Sequence, residues 1–102
     1  MNDAKQVIDD QGRSRFELTI GDQVAELTYR RQADRLVLIH TGVPESLSGR
    51  GIGGQLVEAA LERAARERLT IVPLCPYARR WLERNPDAAA TVTVDWGPPP
   101  DD

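Results

Sequence analysis

Two short runs near the start of the chain alternate between apolar and polar positions. From Arg15 to Ile20, Phe16, Leu18 and Ile20 fall on one face and Glu17 and Thr19 on the other. From Gln23 to Arg31, Ala25, Leu27 and Tyr29 face one way and Glu26, Thr28 and Arg30 the other. A period of two marks a half-buried strand. Gly21-Asp22 between the runs is a two-residue turn signal, so the pair predicts an antiparallel hairpin. After the short connection Ala33-Asp34, the stretch Arg35 to Val43 is apolar on both faces through Leu36-Val37-Leu38-Ile39, with His40 on the face of Leu36 and Leu38. That predicts a central strand. The period then lengthens. Leu56, Val57, Ala60, Leu61 and Ala64 recur at helical spacing, while Glu58, Glu62, Arg63, Arg66 and Glu67 fill the other face, which predicts an amphipathic helix of about four turns.

Leu69 to Leu74 reads as a further strand. It follows a strand and a helix, so it is expected to pair parallel to the Arg35–Val43 run through a right-handed crossover. Pro76 suits a first helical turn, and Ala78, Trp81 and Leu82 continue at helical spacing until Asn85-Pro86 ends the helix. Ala88 to Trp96, with Val92 and Val94 in alternation, predicts a weak last strand. Met1 to Gln11 holds Val7 and Ile8 among mostly polar residues and predicts a frayed end or a short edge strand. Gly97 to Asp102 is Pro-rich and acidic, and is expected to be disordered. The order is β-β-β-α-β-α. It gives an α+β fold in which a mixed, mostly antiparallel sheet carries one βαβ unit and two main helices, as one domain over residues 1–96.

Composition narrows the function classes. A chain of 102 residues with 40% hydrophobic and 28% charged residues suits one small globular core. The formal net charge of −3 gives no support for nucleic-acid binding, which shows as clustered Lys and Arg. The single cysteine, Cys75, excludes an intrachain disulfide and a multi-cysteine metal site, and no metal is expected. No apolar run is long enough to span a membrane and no signal pattern opens the chain, so the default location is the cytoplasm. Oligomeric state leaves no trace in the pattern.

Candidate chemistry concentrates in Ser48-Gly49-Arg50-Gly51-Ile52-Gly53-Gly54, between the central strand and the long helix. Glycine lets backbone take positive φ and approach a ligand closely. A helix starting here aims free N–H groups and the positive end of its dipole at the loop, which favours an anion, most often a phosphate. The dinucleotide fingerprint is absent: the third glycine is at the wrong offset and the next strand ends in Leu74-Cys75, not an acid. The P-loop is absent too, because no lysine follows the glycines. A glycine-rich turn that only lets helix and strand pack closely is the plainer alternative.

This loop, together with His40-Thr41-Gly42-Val43-Pro44 and Val72-Pro73-Leu74-Cys75-Pro76-Tyr77, resembles the small, single-domain YjdJ-like proteins of the GNAT N-acetyltransferase superfamily. The resemblance covers Phe16 to Pro86. It implies acetyl-CoA as cosubstrate, its pyrophosphate on the backbone N–H groups of Arg50 to Gly54 and its pantetheine arm between the strands ending near Val43 and Cys75. Ser48 stands where the family pattern carries Arg or Gln. The implied cofactor-binding set is Val43, Ser48, Gly49, Arg50, Gly51, Ile52, Gly53, Gly54, Cys75 and Arg79; Arg79, Arg80 and Arg84 give the second helix a basic side that either reaches the 3′-phosphate or is a solvated helical face.

Catalysis of acetyl transfer to an amine asks for a proton acceptor and a donor for the departing thiolate. His40, the only histidine, has the side-chain chemistry of a general base, or is a structural histidine bonded to backbone. Cys75 is a candidate acyl-accepting nucleophile before a helix N-terminus, or a small buried apolar residue. Tyr77 is a candidate acid for the thiolate, or packs its helix on the sheet with Trp81; Glu45 is a further base candidate. The leading expectation is an acetyl-CoA-dependent N-acetyltransferase acting on a small-molecule or protein amine. The alternatives are a non-catalytic acyl-CoA-binding module and a thiol-based sensor using Cys75.

Overall fold

A computed structural model describes residues 7–97 of the chain. The expected tail from Pro98 onward and the first six residues lie outside the described residues. Six strands form one sheet in sequence order: β1 (Ile8–Asp10), β2 (Arg15–Ile20), β3 (Gln23–Gln32), β4 (Arg35–Gly42), β5 (Thr70–Pro73) and β6 (Thr93–Val94). The helices are α1 (Ile52–Glu67), α2 (Pro76–Arg84) and α3 (Pro86–Ala89), with a 3₁₀ turn at Glu45–Leu47. The compact α+β fold is as expected from the pattern, including the short edge strand at Ile8–Asp10.

The hairpin holds the predicted register, with Phe16 opposite Leu27 and Leu18 opposite Ala25. Gly21 takes φ +64° at the first turn position, where a two-residue hairpin turn favours glycine. β4 pairs antiparallel with β3 and parallel with β5, so α1 spans the predicted βαβ unit. β6 adds a second parallel pairing, on β5. The connection carries α2 and then α3: Asn85-Pro86 ends one helix and starts the next, because proline fits a first turn as well as it blocks a helix interior. Ala88 and Ala89 are therefore helical, and the last strand shrinks to Thr93–Val94.

All the helices pack on one face of the sheet. Phe16, Leu18, Ala25, Leu27, Leu36, Leu38 and Ile71 from the strands form one core with Leu56, Val57, Ala60, Leu61 and Ala64 of α1 and Ala78 and Leu82 of α2. Each large apolar side chain buried this way contributes about 1.5–3 kcal/mol. The opposite face, bearing Arg15, Glu17, Val24, Glu26, Thr28 and Arg30, has no helix over it among the described residues.

Two residues depart from the pattern. The register of β3 and β4 shifts between Thr28 and Tyr29: Tyr29 pairs with Leu38 and Thr28 with His40, so Ile39 is the extra residue of a β-bulge. One inserted residue reverses the side-chain alternation beyond it. His40 therefore lies on the open face with Thr28, not with Leu36 and Leu38, while Thr41 shares the core face with Leu27. Arg63 is the second. Helical spacing groups it with the solvated face of α1, yet it is 4% exposed. Its guanidinium donates to Asp9 of β1 at 3.0 Å, to the Tyr29 hydroxyl at 2.8 Å and to Glu67 at 3.2 Å. A buried cation persists where it is paired and hydrogen-bonded.

Candidate functional site

The strands β4 and β5 diverge at the bulge. Their ladder ends at Leu38 and Pro73, and the Leu38 carbonyl accepts from both Leu74 N–H (3.0 Å) and Cys75 N–H (2.9 Å). β4 runs on for four residues, Ile39 to Gly42, with no paired residue on β5. Beside this gap is a cavity of about 470 Å³. Thr41 lines it from β4 and Val43 from just beyond the strand, Leu47, Ser48, Gly49 and Gly51 from the following turn and loop, Ile52 and Gly53 from α1, and Tyr77 from α2. Its size falls in the usual range for small-molecule sites.

Local backbone demands explain the loop. Gly49 at φ +83° and Gly51 at φ +74° sit in the left-handed region, and Gly51 is the N-cap of α1. The first N–H to find an acceptor after Ser48 is that of Gln55, which donates to the Gly51 carbonyl at 3.1 Å. No described hydrogen bond has the N–H of Gly49, Arg50, Gly51, Ile52, Gly53 or Gly54 as its donor. The first turn of α1 carries no acidic residue. Free donors, the positive end of a helix dipole and no carboxylate to compensate them make this cavity wall attractive to an anion.

The other two glycines serve packing. A Cβ on Gly53 would lie 2.7 Å from the Tyr77 ring, and one on Gly54 would lie 2.5 Å from Trp81 Nε1. Bare backbone here lets α2 lie close against α1. Gly53 borders the cavity, whereas Gly54 is buried beneath Trp81. Ser48 is also occupied internally: its hydroxyl donates to the Glu45 carbonyl at 2.9 Å and its N–H to the same oxygen at 3.1 Å, closing the 3₁₀ turn.

Of the residues expected at the site, Val43, Ser48, Gly49, Gly51, Ile52, Gly53 and Tyr77 line the cavity. Arg50 is exposed in the same loop. Cys75 is 2% exposed, N-caps α2, and lies 3.2 Å from the Thr41 hydroxyl at the gap. His40 is on the opposite face of β4. Arg79 turns to the C-terminal segment, donating to the Trp96 carbonyl at 2.9 Å with its guanidinium over the indole, and it is not on the cavity wall. Thr41 and Leu47 were not expected. Leu47 is signalled by an aliphatic residue between two serines in a polar loop; Thr41 is hidden because the bulge reverses the alternation.

The fold and this gap define a class, a compact α+β protein of the N-acetyltransferase type. The family model for GCN5-related N-acetyl-transferase matches residues 15–92, and the chain belongs to that family. Among curated proteins it is similar to Protein NATD1 of Gallus gallus, 34% identical over 84 residues covering 79% of this chain and 76% of that one. Protein NATD1 of Homo sapiens is 38% identical over 63 residues, 61% of this chain and 56% of that one. Among solved structures, a GCN5-like candidate N-acetyltransferase from Staphylococcus aureus, determined in solution by NMR, aligns with a TM-score of 0.70 at 27% identity, covering 92% of this chain and 93% of that one. No described helix is long and apolar enough to cross a membrane.

Proposed function

We propose that the chain is an N-acetyltransferase that takes acetyl-CoA as cosubstrate and passes the acetyl group to an amine. The observation that carries this reading is the run of backbone N–H groups from Gly49 to Gly54 without protein acceptors, beside the cavity and at the start of α1. A pyrophosphate satisfies such donors. Arg50 is the loop's own cation, and it stands in for the charge that Ser48 does not supply. The unpaired edge of β4 from Ile39 to Gly42 suits the amide-bearing pantetheine arm, which can add to a strand edge as a peptide does. Val43, Leu47 and Ile52 give the cavity its apolar wall.

When bound, acetyl-CoA supplies an activated acyl group as a thioester. The chain's residues do the rest. His40 takes the proton that the incoming ammonium must lose before its nitrogen can attack. Tyr77 gives a proton to the departing sulfur, a role supported by its 38% exposure and its position on the cavity wall. Thr41 and Cys75 close the bottom of the gap, and direct transfer needs no covalent step on the buried thiol.

Titration calorimetry with acetyl-CoA and with CoA tests the cradle. Binding of both is expected, and no heat at millimolar ligand removes the reading. Release of free thiol from acetyl-CoA in the presence of a panel of primary amines then separates an enzyme from an acyl-CoA-binding module, which binds without amine-dependent release.

A further inference from the structure

The bulge at Ile39 has a second effect besides separating β4 from β5. It brings His40 onto the open face, where the cross-strand partner of Gly42 is Glu26. Gly42 has no side chain, and the space where a Cβ would stand lies 3.7 Å from Glu26 Oε2 and 3.7 Å from His40 Nε2. A carboxylate oxygen and an imidazole nitrogen thus converge over a bare glycine. Arg15 donates to the other carboxylate oxygen, Oε1, at 2.7 Å and also pairs with Glu17, so Glu26 is held with Oε2 toward His40. The Arg15 guanidinium is itself held above its ordinary pKa, chiefly by the bond to Glu17.

Resting on the acetyltransferase reading, we propose that this open-face notch, with Glu26 and His40 as its polar walls, seats the acceptor amine, and that the acceptor is a monoamine with an apolar substituent. Glu26 binds the ammonium as a charge-assisted acceptor. His40 receives the proton, which passes from the ammonium nitrogen to Nε2 and leaves a neutral amine. Arg15 is a positioning residue acting through Glu26. The charge count sets the class. Asp10, Glu17 and Glu26 against Arg13 and Arg15 leave one negative charge, enough for one ammonium, and a second cationic group would meet Arg15. The apolar substituent follows from Ile39, 36% exposed beside His40, and Leu74, 65% exposed, whose N–H is bonded to the Leu38 carbonyl at the mouth of the gap. Both are large apolar side chains left in water at the one place where the open face meets the unpaired edge of β4.

The test needs no CoA. Phenethylamine is titrated into the isotope-labelled protein and followed by amide and imidazole NMR shifts, with spermidine as the polyamine comparison. The expected result is shifts at Glu26, Thr28, Ile39, His40, Gly42 and Leu74, with spermidine binding no tighter than phenethylamine. Glu26→Gln, which keeps the shape, should weaken phenethylamine by about tenfold or more. Gly42→Ala should do likewise without touching a charge, since its methyl meets its neighbours at ordinary contact distance and fills the seat. Shifts centred elsewhere, wild-type affinity in both variants, or tighter binding of spermidine would overturn the proposal. Calorimetry with acetyl-CoA is run beside it: amine shifts on the notch with no acetyl-CoA heat would uphold the amine site and remove the transferase reading.

Discussion

The two ends of α1 handle polar groups in opposite ways. At its C-terminal half, Arg63 is buried and its Nε and Nη1 donors are met by the chain itself, through Asp9, Tyr29 and Glu67, with the cation 5.3 Å from the Tyr29 ring centre. At its N-terminal end, N–H groups from Gly49 to Gly54 have no protein acceptor and border a cavity. No buried side-chain N or O among the described residues lacks a partner, whereas the backbone donors of the glycine loop have none. Polarity closed internally holds β1 and β3 to the helix. Polarity left open waits for a ligand. Mutations at the two ends should therefore separate, those at Arg63 appearing in stability and those at the loop in binding.

The largest effect is expected at Arg63. Arg63→Ala leaves the partly buried Asp9 carboxylate without its cation, with only the Tyr29 hydroxyl still donating to it, and should lower unfolding free energy by about 3–5 kcal/mol. Chemical denaturation measures it. A loss under about 1 kcal/mol would mean the pair is solvated, as surface ion pairs are, and the contrast between the two ends would collapse. Arg63→Met with Asp9→Asn should recover some of the loss, because an apolar side chain of similar length removes the desolvation cost as well as the bonds.

Next comes Gly54, which tests whether all four loop glycines serve the ligand. A methyl there meets Trp81 Nε1 at 2.5 Å, so Gly54→Ala should cost about 1–3 kcal/mol of stability by overpacking. Trp81→Leu makes room, and the double mutant should be more stable than the sum of the two single losses predicts. Strict additivity would show that Gly54 does not mediate the approach of α2 to α1.

Gly51 sharpens the other end. At φ +74°, Gly51→Val carries strain of about 1–2 kcal/mol or more and turns the loop N–H groups away from a common centre. Acetyl-CoA affinity should fall by about tenfold or more by calorimetry. Gly51→Asn, which tolerates the left-handed region, should lose much less. Equal loss in both variants would point to steric blocking, and no loss in either would place the phosphates elsewhere.

These contrasts also show what the sequence could carry. The hairpin was legible because Phe16 and Leu18, and Ala25, Leu27 and Tyr29, alternate without a break. The βαβ unit was legible because the period changes cleanly at the glycine loop. The side of His40 was not, since a single extra residue at Ile39 reverses parity and leaves no mark in an already apolar run. Arg63 was not, since its partner Asp9 is 54 positions away and nothing local distinguishes a buried arginine from a solvated one. The glycines were legible as a group only. Their division into two that bend backbone, Gly49 and Gly51, and two that admit Tyr77 and Trp81, depends on where α2 lies. Asn85-Pro86 reads locally as a stop. That it also starts α3 depends on how the chain returns to set β6 beside β5.

The smallest effect concerns pH, and it probes the closed end without removing a charge. Burial and the hydrogen bond to Asp9 push the Tyr29 hydroxyl up to about 12 against its ordinary 10, with Arg63 opposing. A group whose folded pKa is raised stabilises fully below its unfolded pKa, and the stability is lost as pH rises through the folded value. The window is therefore pH 10 to about 12. In that interval the unfolded chain has released the proton and the folded chain has kept it, so unfolding becomes easier with each step of pH. Between about pH 9 and about pH 11 the loss should be roughly 1 kcal/mol. Tyr29→Phe lacks this titration: it should be less stable at neutral pH, having lost the bonds to Asp9 and Arg63, yet its stability should fall less steeply over the alkaline interval. Parallel pH profiles for the two proteins would mean that Tyr29 ionises freely, and hence that water reaches the Arg63 cluster as readily as it reaches the glycine loop.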